Sequence, residues 1–96
     1  MVNDSAIRAT SYKASINHLY SEIGGEAVIL DLNSGVYYGL NEVGVDIWKW
    51  LQEAQTKENI LSLLLDEYEV TRQQAEADLE TVFTQFLETG LIEAID

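Results

Sequence analysis

The stretch Tyr37-Tyr38-Gly39-Leu40-Asn41-Glu42-Val43-Gly44-Val45-Asp46-Ile47-Trp48-Lys49-Trp50-Leu51 decides the fold of this chain. In its first four residues Tyr38 and Leu40 alternate with Tyr37 and Gly39, the period of two of a strand. Asn41 then stands where a helix needs a side-chain oxygen to accept an orphan N–H. Val43, Ile47, Trp48 and Leu51 follow at the spacing of an apolar helical stripe. A short aromatic strand therefore runs directly into a capped amphipathic helix.

Upstream, Ala27-Val28-Ile29-Leu30-Asp31-Leu32 is β-branched and apolar, with Val28, Leu30 and Leu32 on one face of a strand. Asn33-Ser34-Gly35 reads as a three-residue hairpin turn, a type I turn closed by a left-handed glycine that forms a bulge. Residues 36–40 return antiparallel to 27–32. Before them, residues 12–20 alternate loosely, with Ala14, Ile16, His18 and Tyr20 on one face, and Gly24-Gly25 ends that segment. Residues 1–11 carry no pattern and read as a flexible N-terminal segment, leaving one domain over 12–96.

Downstream, three helices are expected. The first covers roughly 42–53. The second starts after Thr56 and carries Ile60, Leu61, Leu64, Leu65 and Tyr68 on one stripe. The third opens on Thr71-Arg72-Gln73-Gln74, a capping box of the Thr-x-x-Gln type. It carries Ala75, Leu79, Val82, Phe83, Phe86 and Leu87, and stops at Gly90, with Leu91 packing back over the last turn. Residues 91–95 read as a short extended tail. The order predicts an α+β domain: a three-stranded antiparallel sheet followed by three helices, winged helix-turn-helix-like.

Composition narrows the function. The 96 residues carry a formal charge of -12, and only Arg8, Lys13, Lys49, Lys57 and Arg72 are basic. Such a chain repels nucleic-acid backbones and anionic membrane surfaces. No segment approaches the apolar length of a membrane span, and the N-terminus lacks the features of a signal peptide. With no cysteine, thiolate metal sites and a cysteine nucleophile are excluded, and a reducing cytoplasmic location fits. His18 is the sole histidine and has no triad partners. Asp66, Glu67, Glu69, Glu76, Asp78 and Glu80 do not follow a calcium-loop pattern and read as solvated helix faces. Neither a phosphate loop nor a metalloprotease motif appears. The expectation is a non-catalytic protein with no cofactor and no metal.

The strand 36–40 bears no charge and no proline. If 12–20 pairs with the far side of 27–32, this strand has a free edge, onto which an extended peptide can add. The same edge could instead pair with a second copy, giving a dimerisation module. A winged-helix nucleic-acid binder is the third reading, and the charge weighs against it.

The residues 27–92 resemble the PqqD-like family, the peptide-recognition elements of pathways that modify ribosomally made peptides. The resemblance is carried by Leu30-Asp31-Leu32-Asn33-Ser34-Gly35-Val36-Tyr37-Tyr38, Leu40-Asn41-Glu42-Val43-Gly44, Ile47-Trp48, Leu51, Thr56 and Ile60. It continues in Leu64, Tyr68-Glu69-Val70, Ala77-Asp78-Leu79, Phe86-Leu87 and Gly90-Leu91-Ile92. Glu53-Ala54-Gln55 departs from the glycine-containing turn of many relatives. The 37–44 version is more similar to free-standing members, including those of lasso-peptide pathways, than to the quinone-cofactor branch. The resemblance implies binding of a precursor's leader region by strand addition and its presentation to a modifying enzyme or leader peptidase. On matching positions it implies a peptide site of Val36, Tyr37, Tyr38, Gly39 and Leu40, faced by Asp78, Leu79 and Val82 of the third helix. A monomer or weak homodimer is expected.

Overall fold

The computed structural model describes residues 10–95. Nine of the eleven residues expected to be flexible lie outside this range, and Ser11 opens the first strand. The elements run β1 (Ser11–Ala14), β2 (His18–Ile23), β3 (Glu26–Asp31), β4 (Tyr37–Leu40) and α1 (Glu42–Trp50). They continue with β5 (Gln55–Thr56), α2 (Lys57–Glu67), α3 (Arg72–Glu88) and β6 (Ile92–Ile95). The fold is α+β, but with two antiparallel sheets where the sequence pointed to one. The first has the order β5-β1-β6 and the second β2-β3-β4.

The expected strand over 12–20 is two strands in two sheets. Ser15, Ile16 and Asn17 separate them, and Asn17 takes a left-handed conformation at φ 68°, which asparagine tolerates better than most residues. Backbone bonds hold the link on both sides. Ala14 N–H donates to Leu51 O, Ser15 N–H to Leu91 O, and Leu32 N–H to Asn17 O. The break reverses the alternation, so Ile16 is exposed while His18 and Tyr20 turn toward α1. The tail after Gly90 is also a strand: β6 pairs with β1 from Ser11–Ile95 to Ala14–Ile92. The departure at Glu53-Ala54-Gln55 leads into β5, which pairs with Ser11 and Tyr12.

The β3–β4 hairpin forms as expected, with one more residue in its loop. Asp31 N–H donates to Val36 O, and Gly35 N–H donates to Asp31 O. Gly35 and Val36 together thus oppose Asp31, the two-against-one arrangement of a bulge, with Gly35 at φ 76°. The loop is Leu32 through Gly35. The Asp31 carboxylate sets its length by accepting from Asn33 N–H and Ser34 Oγ, at 2.9 and 3.0 Å.

Each helix begins at the cap the sequence marked. Asn41, Thr56 and Thr71 accept from the backbone N–H of Gly44, Asn59 and Gln74. The capping box of α3 is half made, because the Gln74 side chain donates to Asp78 instead of returning to Thr71. α1 stops at Trp50, shorter than 42–53. Past α3, Leu91 N–H bonds Phe86 O and Gly90 N–H bonds Leu87 O. That is the pair of bonds of a Schellman stop, and it turns Leu91 into the core.

One core joins the layers. Ala27, Ile29 and Leu40 of the second sheet pack with Ile47, Trp48 and Leu51, with Ile60, Leu61 and Leu64, and with Leu79, Phe83 and Phe86. Trp48 links them most directly. It lies edge-on to His18 and Phe86, and is stacked on Tyr20, with ring centroids 4.9, 5.6 and 6.4 Å away. Burial, followed by the hydrogen bond to Glu22, pushes the Tyr20 hydroxyl up to about 12. Lys49 in turn holds the Glu22 carboxyl below the usual carboxylate range.

Replacing Trp48 by Ala removes contacts to two sheet residues and one α3 residue at once. The expected loss is about 3–5 kcal/mol, measured as a lower urea midpoint. A loss below about 1 kcal/mol would show that the sheet and α3 hold together without it.

Candidate peptide-binding site

Among the described residues β4 pairs only with β3, in the register Ala27–Leu40, Val28–Gly39, Ile29–Tyr38 and Leu30–Tyr37. Its other side is a free edge. Antiparallel ladders alternate hydrogen-bonded and non-bonded pairs. The Asp31–Val36 bond fixes the phase, so Tyr38 and Leu40 spend their backbone groups on β3. Tyr37 and Gly39 point their N–H and C=O groups outward, which gives the edge two donors and two acceptors.

The side chains of β4 divide between two faces. Leu40 is buried and Tyr38 half-buried on the helix side, whereas Val36, Tyr37 and Gly39 are exposed. Gly39 has no neighbouring atoms within 4 Å of the position a Cβ would take, so its open side comes from the missing side chain. The 36–40 segment carries no charge, and the stretch between Lys13 and Lys49 contains no Lys or Arg at all.

α3 presents three faces. Its central stripe, Ala75, Leu79, Phe83 and Phe86, lies in the core. One flank meets α2, where Arg72 pairs with Glu58 at 3.0 Å and Lys57 with Glu80 at 3.2 Å. The opposite flank carries Asp78 and Val82, both half-buried, with Asp78 accepting from Gln74 Nε2 at 3.1 Å. Leu79 is only 5% exposed, so it backs this flank from within the core. The expected site residues therefore fall into two groups, five contiguous on the β4 edge and two on an α3 flank. Trp48 joins the second sheet to α3 by touching both Tyr20 of β2 and Phe86 of α3.

Among the described residues the second sheet has another free edge, along β2. That strand carries Glu22, paired with Lys49 at 3.1 Å and bonded by the Tyr20 hydroxyl. An inward or edge charge of this kind discourages strand addition, and β4 has none.

His18 is half-buried against Trp48, with its Nδ1 buried and without a hydrogen-bond partner. Among the described residues no three His, Cys, Asp or Glu gather as a metal site, and no helix is long and apolar enough to cross a membrane.

A feature the sequence reading missed lies on the face away from the helices. There Ser21, Ile23, Val28 and Gly39 line a shallow recess of about 500 Å3. Its signal was present in 27–30, which is apolar on both strand faces, the pattern of a strand covered on both sides.

Comparison with known proteins places this geometry. The PqqD profile, described as coenzyme PQQ synthesis protein D, matches residues 26–92. No curated protein sequence matches. Among solved structures, TbiB1 in complex with the TbiA(beta) leader peptide is 34% identical with a TM-score of 0.76, covering 84% of this chain and 94% of that one. A lasso peptide synthetase B1 complexed with the leader peptide is 27% identical with a TM-score of 0.73, covering 85% of this chain and 96% of that one. The strand-to-capped-helix core, the hairpin and the glycine stop of α3 all lie within the matched residues, and the chain belongs to the PqqD family.

Proposed function

We propose that this protein binds the leader region of a ribosomally made precursor peptide as an added strand on β4 and presents it to a modifying enzyme. The observation that carries the reading is the open β4 edge, in a fold shared with two proteins whose structures are leader-peptide complexes. The second of those names supports a lasso-peptide pathway. The role is recognition without catalysis, in the cytoplasm, by a monomer or weak homodimer.

The mechanism follows from the edge. An incoming extended segment bonds the outward groups of Tyr37 and Gly39, and each net hydrogen bond contributes roughly 1 kcal/mol. Alternate side chains of the added strand then point to the helix side, where Tyr38 is half-buried. On that side we place Val82 and Asp78 as the far wall, with Leu79 supporting it from the core. One or two apolar side chains seated there contribute roughly 1.5–3 kcal/mol each. After association costs, these gains support micromolar or tighter binding.

The sequence-based expectation of strands followed by three helices is similar to a winged helix-turn-helix, and nucleic-acid binding is the reading that likeness alone would favour. A face that binds phosphates needs clustered Lys and Arg, and this chain has five such residues against 17 acidic ones.

Two substitutions separate the parts of the site. Tyr37→Pro removes one outward N–H while leaving the β3 ladder intact, since proline is tolerated on an exposed strand edge. Leader affinity should fall about five- to tenfold by isothermal titration, the equivalent of one hydrogen bond. Full affinity in the folded variant would remove β4 as the docking edge. Val82→Glu sets a charge on the α3 wall and should weaken binding about tenfold or more, since an unpaired charge resists desolvation. Unchanged affinity with native circular dichroism would take α3 out of the site.

A further inference from the structure

The strand β3 is apolar on both faces, yet helices cover only one. Ala27 and Ile29 point into the core, while Val28 and Leu30 point the other way. Across the uncovered face, Leu19, Leu30 and Tyr37 form one row over three strands, and Ser21, Val28 and Gly39 form the next. Leu19 is 58% exposed, Tyr37 68% and Ile23 81%. A contiguous apolar face of this kind marks an interaction surface, and the recess at Gly39 gives it relief.

We infer that this outer face docks the peptide-modifying enzyme itself, through an apolar surface on that enzyme rimmed by basic side chains. The inference rests on the leader-binding reading above. Two observations select this occupant over a second copy of the chain. The first is charge. Glu26 lines the recess on this face, Glu42 follows Asn41 at its margin, both are exposed, and no Lys or Arg occurs between Lys13 and Lys49, while Glu22 turns to the helix side and pairs with Lys49. Two copies face to face would set acidic rim against acidic rim, on chains of net charge -12 each. A basic rim is complementary and also speeds encounter.

The second is continuity with the peptide edge. A strand added to β4 lies about 4.8 Å beyond it and continues the same pleated face. A protein seated on Leu19, Leu30 and Tyr37 therefore abuts the outward side chains of the bound leader. Docking there puts the enzyme beside its substrate without competing for the helix-side groove. Leader and enzyme then share one surface, and each should raise the affinity for the other by the same factor.

The test uses the double variant Leu19→Asp, Ile23→Asp. Both residues are exposed on β2, roughly 10 Å from β4, so neither the core nor the leader edge is touched. The probes are the purified modifying enzyme encoded beside this chain and the synthetic leader of the adjacent precursor. Enzyme affinity, read by biolayer interferometry, should drop at least tenfold in the variant while leader affinity stays the same. Leader should also tighten enzyme binding to the parent chain. The inference is overturned by unchanged enzyme affinity in the variant, or by a parent chain that binds leader but no enzyme. A parent dimer in light scattering that the variant dissolves would also overturn it, giving the face to a second copy. A parent chain that binds no leader would fail the underlying reading, a separate outcome.

Discussion

Trp48 is the contact on which the rest of this small domain depends. It meets His18 and Tyr20 of β2 on one side and Phe86 of α3 on the other. No other described residue makes aromatic contacts to both the second sheet and α3. A domain of this size buries a modest fraction of its surface and has little stability to spare. The second sheet and α3 are thus tied together by one side chain on a nine-residue helix whose start is fixed by Asn41.

The second sheet is organised by what it leaves open. β3 takes the centre, paired on both sides, and its inward residues anchor the core. β4 spends half its backbone groups on β3 and turns the other half to solvent. An uncharged strand with this much free edge is ordinarily an aggregation hazard. The strong negative charge of the chain counters it, because self-association then has to overcome repulsion. In this account the same charge keeps the edge available for a peptide and favours a basic protein on the outer face.

Much of this was legible because the signals are local. The helix starts at Asn41, Thr56 and Thr71, the glycine stop at Gly90 and the 27–40 hairpin all rest on residues within a few positions of one another. What escaped depends on distant partners. Ser15 and Asn17 are the turn signals at the break, weak ones without glycine or proline beside them, and the break between β1 and β2 makes sense only once Ser11 is paired with Ile95 at the far end of the chain. β5 is two residues long, too short for a pattern to register. In the site, the edge strand could be read from alternation and lack of charge. The α3 wall was harder, because 78, 79, 82 and 83 sit side by side around one helix. Only packing decides that Leu79 and Phe83 face inward while Asp78 and Val82 lie on the flank. The apolar outer face of β3 was visible in 27–30, but its exposure follows from helices covering one side of the sheet alone.

Strand addition at β4 makes a residue-level claim that amide hydrogen exchange tests most directly. In the free protein, the amides of Tyr38 and Leu40 belong to the ladder and should exchange slowly, while those of Tyr37 and Gly39 should exchange fast. Saturating leader peptide should slow Tyr37 and Gly39 at least tenfold and leave the β2 edge unchanged. Binding that protects β2 instead, or that leaves Tyr37 and Gly39 as fast as before, would contradict the account.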